Sequence, residues 1–205
     1  MSDEAFTTQT LFRRVLDVLA KPGTIADLAP LSAHLGPTDD IPPAVFAVAR
    51  TLLDAETTFA VRSDASARDR TTLQRRTAAR AVALEEAAWL FLSSGAADVP
   101  MALASARRGT LEDPHLGATV VLEVARLAPG DDATEPPAGS PRYALRGPGV
   151  DGVRTLVVDA PIGWADARHE AVRDYPLGID MLLVDRSGRI AGLPRTTVVA
   201  RGDGA

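Results

Sequence analysis

The sequence contains no cysteine, which excludes disulfides, thiolate nucleophiles and cysteine metal sites. Aromatic residues make up only 4% of the chain, so its core has to be built from Ala, Val and Leu. Lysine is nearly absent: Lys21 is the only one, and every other strong base is arginine. A pyridoxal phosphate Schiff base would therefore rest on Lys21 alone. Its setting, Ala20-Lys21-Pro22-Gly23, reads as a helix end, where a cation suits the helix dipole without any cofactor. No apolar run approaches the roughly 20 residues that cross a bilayer. The opening Met1-Ser2-Asp3-Glu4 has neither the basic nor the apolar region of a secretion signal. No membrane association is expected, and the expected location is the cytoplasm. The net charge of −5 argues against a nucleic-acid partner, which calls for a basic surface.

What remains is an ordinary globular composition, 46% hydrophobic and 24% charged over 205 residues. That length suits one domain, taken as 1–205, with a sizeable core. Periodicity predicts helices over Thr8 to Ala20, Pro42 to Leu53 (with Asp40 as N-cap), Ser66 to Ala79, Pro100 to Arg107 and Trp164 to Arg173. Strands are predicted over Ile25 to Leu28, Thr57 to Val61, Ala87 to Ser93, Ala118 to Leu127, Arg142 to Arg146 and Leu156 to Asp159. Pro30 to Asp40 and Pro129 to Pro141 read as loops. Strands and helices are mixed throughout, which favours an α/β sandwich over separate all-α and all-β parts.

The most informative stretch lies near the C-terminus. Met181 to Val184 is a continuous apolar run, the pattern of a strand buried on both faces. Arg186-Ser187-Gly188-Arg189 is a short polar turn, so a second antiparallel strand is expected to return towards Pro194-Arg195-Thr196-Thr197. The hairpin brings Asp180 and Arg195 to one open end. There they either form a structural ion pair, or Arg195 with Thr196 and Thr197 makes an oxyanion site.

Other chemical signals are weaker. Gly147-Pro148-Gly149-Val150-Asp151-Gly152 matches GxGxxG, but a strand follows it where the dinucleotide motif needs a helix N-terminus. A Gly-rich turn is the better reading. Glu112, Asp113 and His115, and likewise Asp166, His169 and Glu170, lack a complete ligand set and read as a solvated loop and an exposed helix face. Arg13 and Arg14 offer anion ligands or simply the outer face of the first helix.

Taken in order, several short segments resemble one family. They are Phe12-Arg13-Arg14 with Lys21-Pro22-Gly23, Leu52-Leu53-Asp54, Arg108-Gly109-Thr110 with Asp113-Pro114, and Gly117-Ala118-Thr119. Leu145-Arg146-Gly147-Pro148-Gly149-Val150, Pro176-Leu177-Gly178-Ile179-Asp180 and Leu193-Pro194-Arg195-Thr196-Thr197 complete the set. Together, from about Phe12 to Val199, the chain resembles PhnH, the H subunit of the bacterial carbon–phosphorus lyase system for using phosphonates.

The resemblance implies a three-layer α/β sandwich with a mixed β-sheet, similar to the large domain of pyridoxal-phosphate-dependent transferases but without the cofactor. It implies a homodimer that joins the G, I and J subunits. That machinery forms ribose 1-phosphonate 5-triphosphate from ATP and an alkylphosphonate, displacing adenine. Radical carbon–phosphorus cleavage belongs to the J subunit, and a chain without cysteine holds no cysteine-ligated iron–sulfur cluster. The family brings no agreed catalytic residues. Two roles follow: an accessory scaffold without its own catalytic site, or a subunit that binds nucleotide or phosphonate directly. For the second, the ligand candidates are Arg13, Asp180, Arg195, Thr196 and Thr197. A free-standing pyridoxal phosphate enzyme is the third and least supported reading.

Overall fold

The C-terminal apolar run forms the hairpin its pattern predicts. Strand Asp180–Asp185 turns at Arg186–Gly188 and returns as Arg189–Leu193, with Val184 opposite Ile190 and Met181 opposite Leu193. Every residue from Met181 to Val184 is buried. In the computed structural model, which describes residues 3–35, 41–96, 98–130 and 140–202, the rest of the chain is arranged around this pair.

In chain order the elements are α1 (Asp3–Ala20), β1 (Ala26–Asp27), α2 (Ala29–Ser32), α3 (Pro43–Leu52), β2 (Thr58–Arg62), α4 (Ser66–Thr77), β3 (Arg80–Ala81) and β4 (Trp89–Leu92). They continue with α5 (Val99–Ser105), β5 (Thr119–Val124), β6 (Arg126–Pro129), β7 (Arg142–Arg146), β8 (Arg154–Asp159) and α6 (Trp164–Ala171). The hairpin strands are β9 and β10, and β11 (Val198–Arg201) follows them. A seven-stranded sheet has the order β1-β10-β9-β5-β4-β2-β3. Its pairs from β9 across to β3 are parallel, and β10 runs against its neighbours. The fold is α/β with a mixed sheet.

Alternation along the central strands divides the core in two. Leu90, Leu92, Val120, Leu122, Met181 and Leu183 face one side, together with Val99 and Leu103 of α5 and Trp164 of α6. Phe91, Val121, Leu182 and Val184 face the other, under Leu11 and Val15 of α1, Phe46 of α3 and Leu73 of α4. Successive side chains of a strand point to opposite faces, so a strand covered on both sides must be apolar throughout. Helix α3 shows the same pressure, with all of Ala44 to Ala49 buried.

Three differences from the sequence reading have physical causes. Ala118 to Leu127 alternates like one strand, yet β5 and β6 lie in different sheets. The chain turns at Ala125, whose N–H donates to the Asp159 carbonyl at 2.8 Å. Beside α5 and α6, that face is therefore covered by a second, four-stranded sheet of order β11-β7-β8-β6. Strand β11 escaped prediction because Val198-Val199-Ala200-Arg201 is short, mostly exposed and without apolar–polar alternation. Pro30 to Asp40, read as a loop, begins with the end of α2 and a 3₁₀ turn over Ala33–Leu35. Asp40, expected as an N-cap, falls outside the described residues, and Pro42 holds the N-cap position of α3.

The GxGxxG segment is the turn between antiparallel β7 and β8, with no helix after it. Gly149 has φ 79°, and a Cβ there would collide with the Ala20 carbonyl oxygen. Its role is close approach to the end of α1.

Candidate functional site

Asp180 and Arg195 meet where the hairpin predicts. Asp180 opens β9, and Arg195 follows the end of β10. The Arg195 Nη2 donates to Asp180 Oδ2 at 2.7 Å, its Nε lies 3.3 Å from both carboxylate oxygens, and its main-chain N–H donates to Oδ1 at 2.7 Å. Nη1 donates to the carbonyls of Pro114 at 2.8 Å and Pro176 at 3.3 Å. The Arg195 side chain is only 14% exposed. A guanidinium has five N–H donors, and most of these face Asp180 and two carbonyls. Of the two arrangements open from sequence, the ion pair is the one present.

The other candidate residues divide around this pair. Thr197 is buried, and its hydroxyl has no hydrogen-bond partner. Its N–H donates to the Pro194 carbonyl at 2.9 Å, closing the turn. Thr196 is half-buried, and its carbonyl lies against Gly147. Arg13 is not brought to the site. It is exposed on α1, next to Arg14, which donates to the Asp27 carbonyl. Asp27 pairs with Arg189 at the start of β10, whereas Arg195 lies beyond its end.

Sequence reasoning missed Arg168. It is buried in α6, donates to the Pro194 carbonyl at 2.7 Å, and leaves its Nε without a partner. Burial pushes its pKa down to about 10, against the opposing pull of Asp180. Arg168 therefore stays charged at neutral pH, and Asp180 serves as counter-charge to two arginines. The signal was present as spacing: Trp164, Arg168 and Ala171 form the buried stripe of α6 at helical period. Asp166, His169 and Glu170 occupy its exposed side, as expected. Among the described residues no group of three or more His, Asp and Glu could hold a metal. Lys21 is likewise exposed, in the turn after α1.

The separate sequence segments converge here. Gly178 N–H donates to the Arg108 carbonyl at 2.9 Å. A Cβ on Gly117 would lie 2.9 Å from Arg195 Nη1 and would collide with the Gly178 carbonyl. Gly149 touches the end of α1, and Gly147 touches Thr196. The segments from Arg108 to Gly117, Pro176 to Asp180 and Leu193 to Thr197 are thus one knot tied by Arg195, with the end of α1 and the β7–β8 turn beside it. The Tyr175–Pro176 peptide within it is cis.

A second cluster lies at the opposite, C-terminal edge of the parallel strands. The chain leaves β2 through α4 on one face of the sheet and leaves the adjacent β4 through α5 on the other. Connections that part in this way open a crevice at the strand ends, the usual ligand position in open α/β sheets. A cavity of about 380 Å³ sits there. Val61, Phe91, Val45 and Leu73 form its apolar wall, and Ser63, Asp64, Asp69, Ser93, Glu123 and Arg186 its polar one. The buried Glu123 accepts from Arg186 Nε at 2.7 Å and Ser94 Oγ at 3.2 Å, both at Oε1. That hydrogen bond, and then the charge of Glu123, raises the pKa of Arg186. Ser63 Oγ donates to Asp69. No motif links these residues; the topology alone collects them.

Comparison with known proteins identifies the family. The sequence model of the family described as "Bacterial phosphonate metabolism protein (PhnH)" matches residues 1–200. A Stutzerimonas stutzeri protein named as C-P lyase subunit HtxG is 31% identical over 190 residues, spanning 92% of this chain and 84% of that protein. Subunit PhnH of alpha-D-ribose 1-methylphosphonate 5-triphosphate synthase from Rhizobium meliloti (strain 1021) is 31% identical over 216 residues, 98% of this chain and 94% of that protein. With the family model matching residues 1–200 and both relatives 31% identical over more than nine-tenths of it, the chain belongs to the PhnH family.

Proposed function

We propose that this chain is an accessory subunit of a carbon–phosphorus lyase core complex, required for forming ribose 1-phosphonate 5-triphosphate from ATP and an alkylphosphonate. Membership of the PhnH family over residues 1–200 carries this reading. The knot around Arg195 supports the accessory role, because its charged groups are occupied with one another and with main-chain carbonyls. A group already satisfied in this way has little left to offer a reacting phosphonate.

In this reading the subunit is a homodimer that joins the G, I and J subunits in the cytoplasm. It needs no pyridoxal phosphate, although its fold is proposed to be similar to the large domain of the transferases that use it. The exposure of Lys21 supports the absence of the cofactor, since a Schiff-base lysine works from an enclosed site.

Co-expression of the tagged chain with the G, I and J subunits of one source, followed by one-step purification and mass analysis, tests the proposal. A stoichiometric complex is expected. A lone dimer or monomer would leave family membership in place and sink the role in the complex.

A further inference from the structure

The crevice between β2 and β4 has a chemistry of its own. On its polar side, acceptors outnumber donors. Glu123 Oε2 carries no hydrogen bond among the described residues, and Oε1 is already engaged. Asp64 is exposed at the rim, and Asp69 keeps one carboxylate oxygen beyond the Ser63 bond. Against these stand the Ser93 hydroxyl and Arg186, whose charge is already set against Glu123.

Three carboxylates and one paired cation repel an anion and attract a ligand rich in O–H and N–H donors. The facing wall of Val45, Val61, Leu73 and Phe91 suits a flat apolar ring. A simple amine leaves that wall uncovered, and a sugar alone gains little from it. The cavity volume lies within the range of small-molecule sites.

We infer that this crevice binds a nucleoside. The base lies against Phe91 and the aliphatic wall, and the ribose hydroxyls donate to Glu123 and Asp64. The inference rests on the subunit reading above and gives the accessory protein a ligand of its own. Its test is independent, because ligand binding and co-purification fail separately.

The experiment is isothermal titration of the full chain with each of the four ribonucleosides and, separately, with methylphosphonate. Saturable one-site binding of at least one nucleoside is expected, and methylphosphonate is expected not to bind the crevice. Val61→Phe, which fills the cavity, and Glu123→Gln, which removes the acceptor charge, should each weaken nucleoside binding by about tenfold or more. Asp64→Asn, on an exposed side chain, provides a further variant should either of the others unfold, and should also weaken it. Absence of binding by all four nucleosides overturns the inference. So does nucleoside binding that is unchanged in every folded variant, or methylphosphonate binding that Val61→Phe abolishes.

Discussion

Asp180 supplies counter-charge to two arginines, and their exposures differ. Arg195 is 14% exposed at its side chain, whereas Arg168 is sealed within α6. Removing one member of a buried pair costs more than the pair contributes, because a desolvated charge remains. Asp180 itself is 29% exposed at its side chain, so Asp180→Asn should destabilise the fold by less than a fully buried pair, on the order of 2 kcal/mol, measured by urea unfolding. Arg195→Ala should cost a similar amount, while Arg195→Lys should lose less, since it keeps the charge but not the fork that reaches Pro114 and Pro176.

Arg168 has its own pH signature. Burial lowers its folded pKa to about 10. Below 10 both the folded and unfolded forms carry the proton, so the cost of burying its charge is constant. Above 10, until the unfolded chain's arginine also loses its proton, the unfolded chain binds more protons, and the Arg168 contribution becomes more favourable to folding as pH rises. The stability difference between wild type and Arg168→Met should accordingly be flat from pH 7 to 9. Thr197 offers a contrasting case. Its buried hydroxyl lacks a partner, so Thr197→Val should be neutral or stabilising by up to about 1 kcal/mol in the same assay.

Among the elements, the contacts at Gly117 and Gly149 are between main chains, where no side-chain rotation gives relief. Gly117→Ala should push Arg195 off its carbonyls and lower the unfolding midpoint by several degrees, about 2 kcal/mol or more. Thermal unfolding followed by circular dichroism measures this. The hairpin itself was legible from sequence because its apolar run, polar turn and flanking charges agreed with one another. Its consequence, the Asp180–Arg195 pair, was legible for the same reason. Arg168 was not: a single arginine in the polar segment Trp164-Ala165-Asp166-Ala167-Arg168-His169 looks like an exposed face until its phase relative to Trp164 is counted. The second sheet was hidden by one residue, since the break at Ala125 leaves the alternation of Ala118 to Leu127 intact. The crevice could not be read at all, because Ser63, Ser93, Glu123 and Arg186 are far apart in sequence and become neighbours only through parallel strand order.

For the whole molecule, the two clusters occupy opposite ends of the same strands. The knot around Arg195 lies where β9 begins, and the crevice lies where β2, β4, β5 and β9 end. Strands of about six residues keep the two ends roughly 20 Å apart. Substitutions in one should combine additively with substitutions in the other. The double variant Asp64→Asn, Thr197→Val should show the sum of the single unfolding free energies to within about 0.5 kcal/mol, measured by urea unfolding.

The position of the C-terminal hairpin also governs the order in which this protein can be made. Strand β10 lies between β1 and β9, and β9 pairs with β5. At ribosomal rates of about 5–20 residues per second, β1 waits roughly 8–30 s for its partner β10 to emerge. Until then the apolar side of α1 lacks β10 beneath it, and the edge of β5 is open. The seven-stranded sheet is thus completed late in synthesis, once β9 has joined β5 and β10 has joined β1.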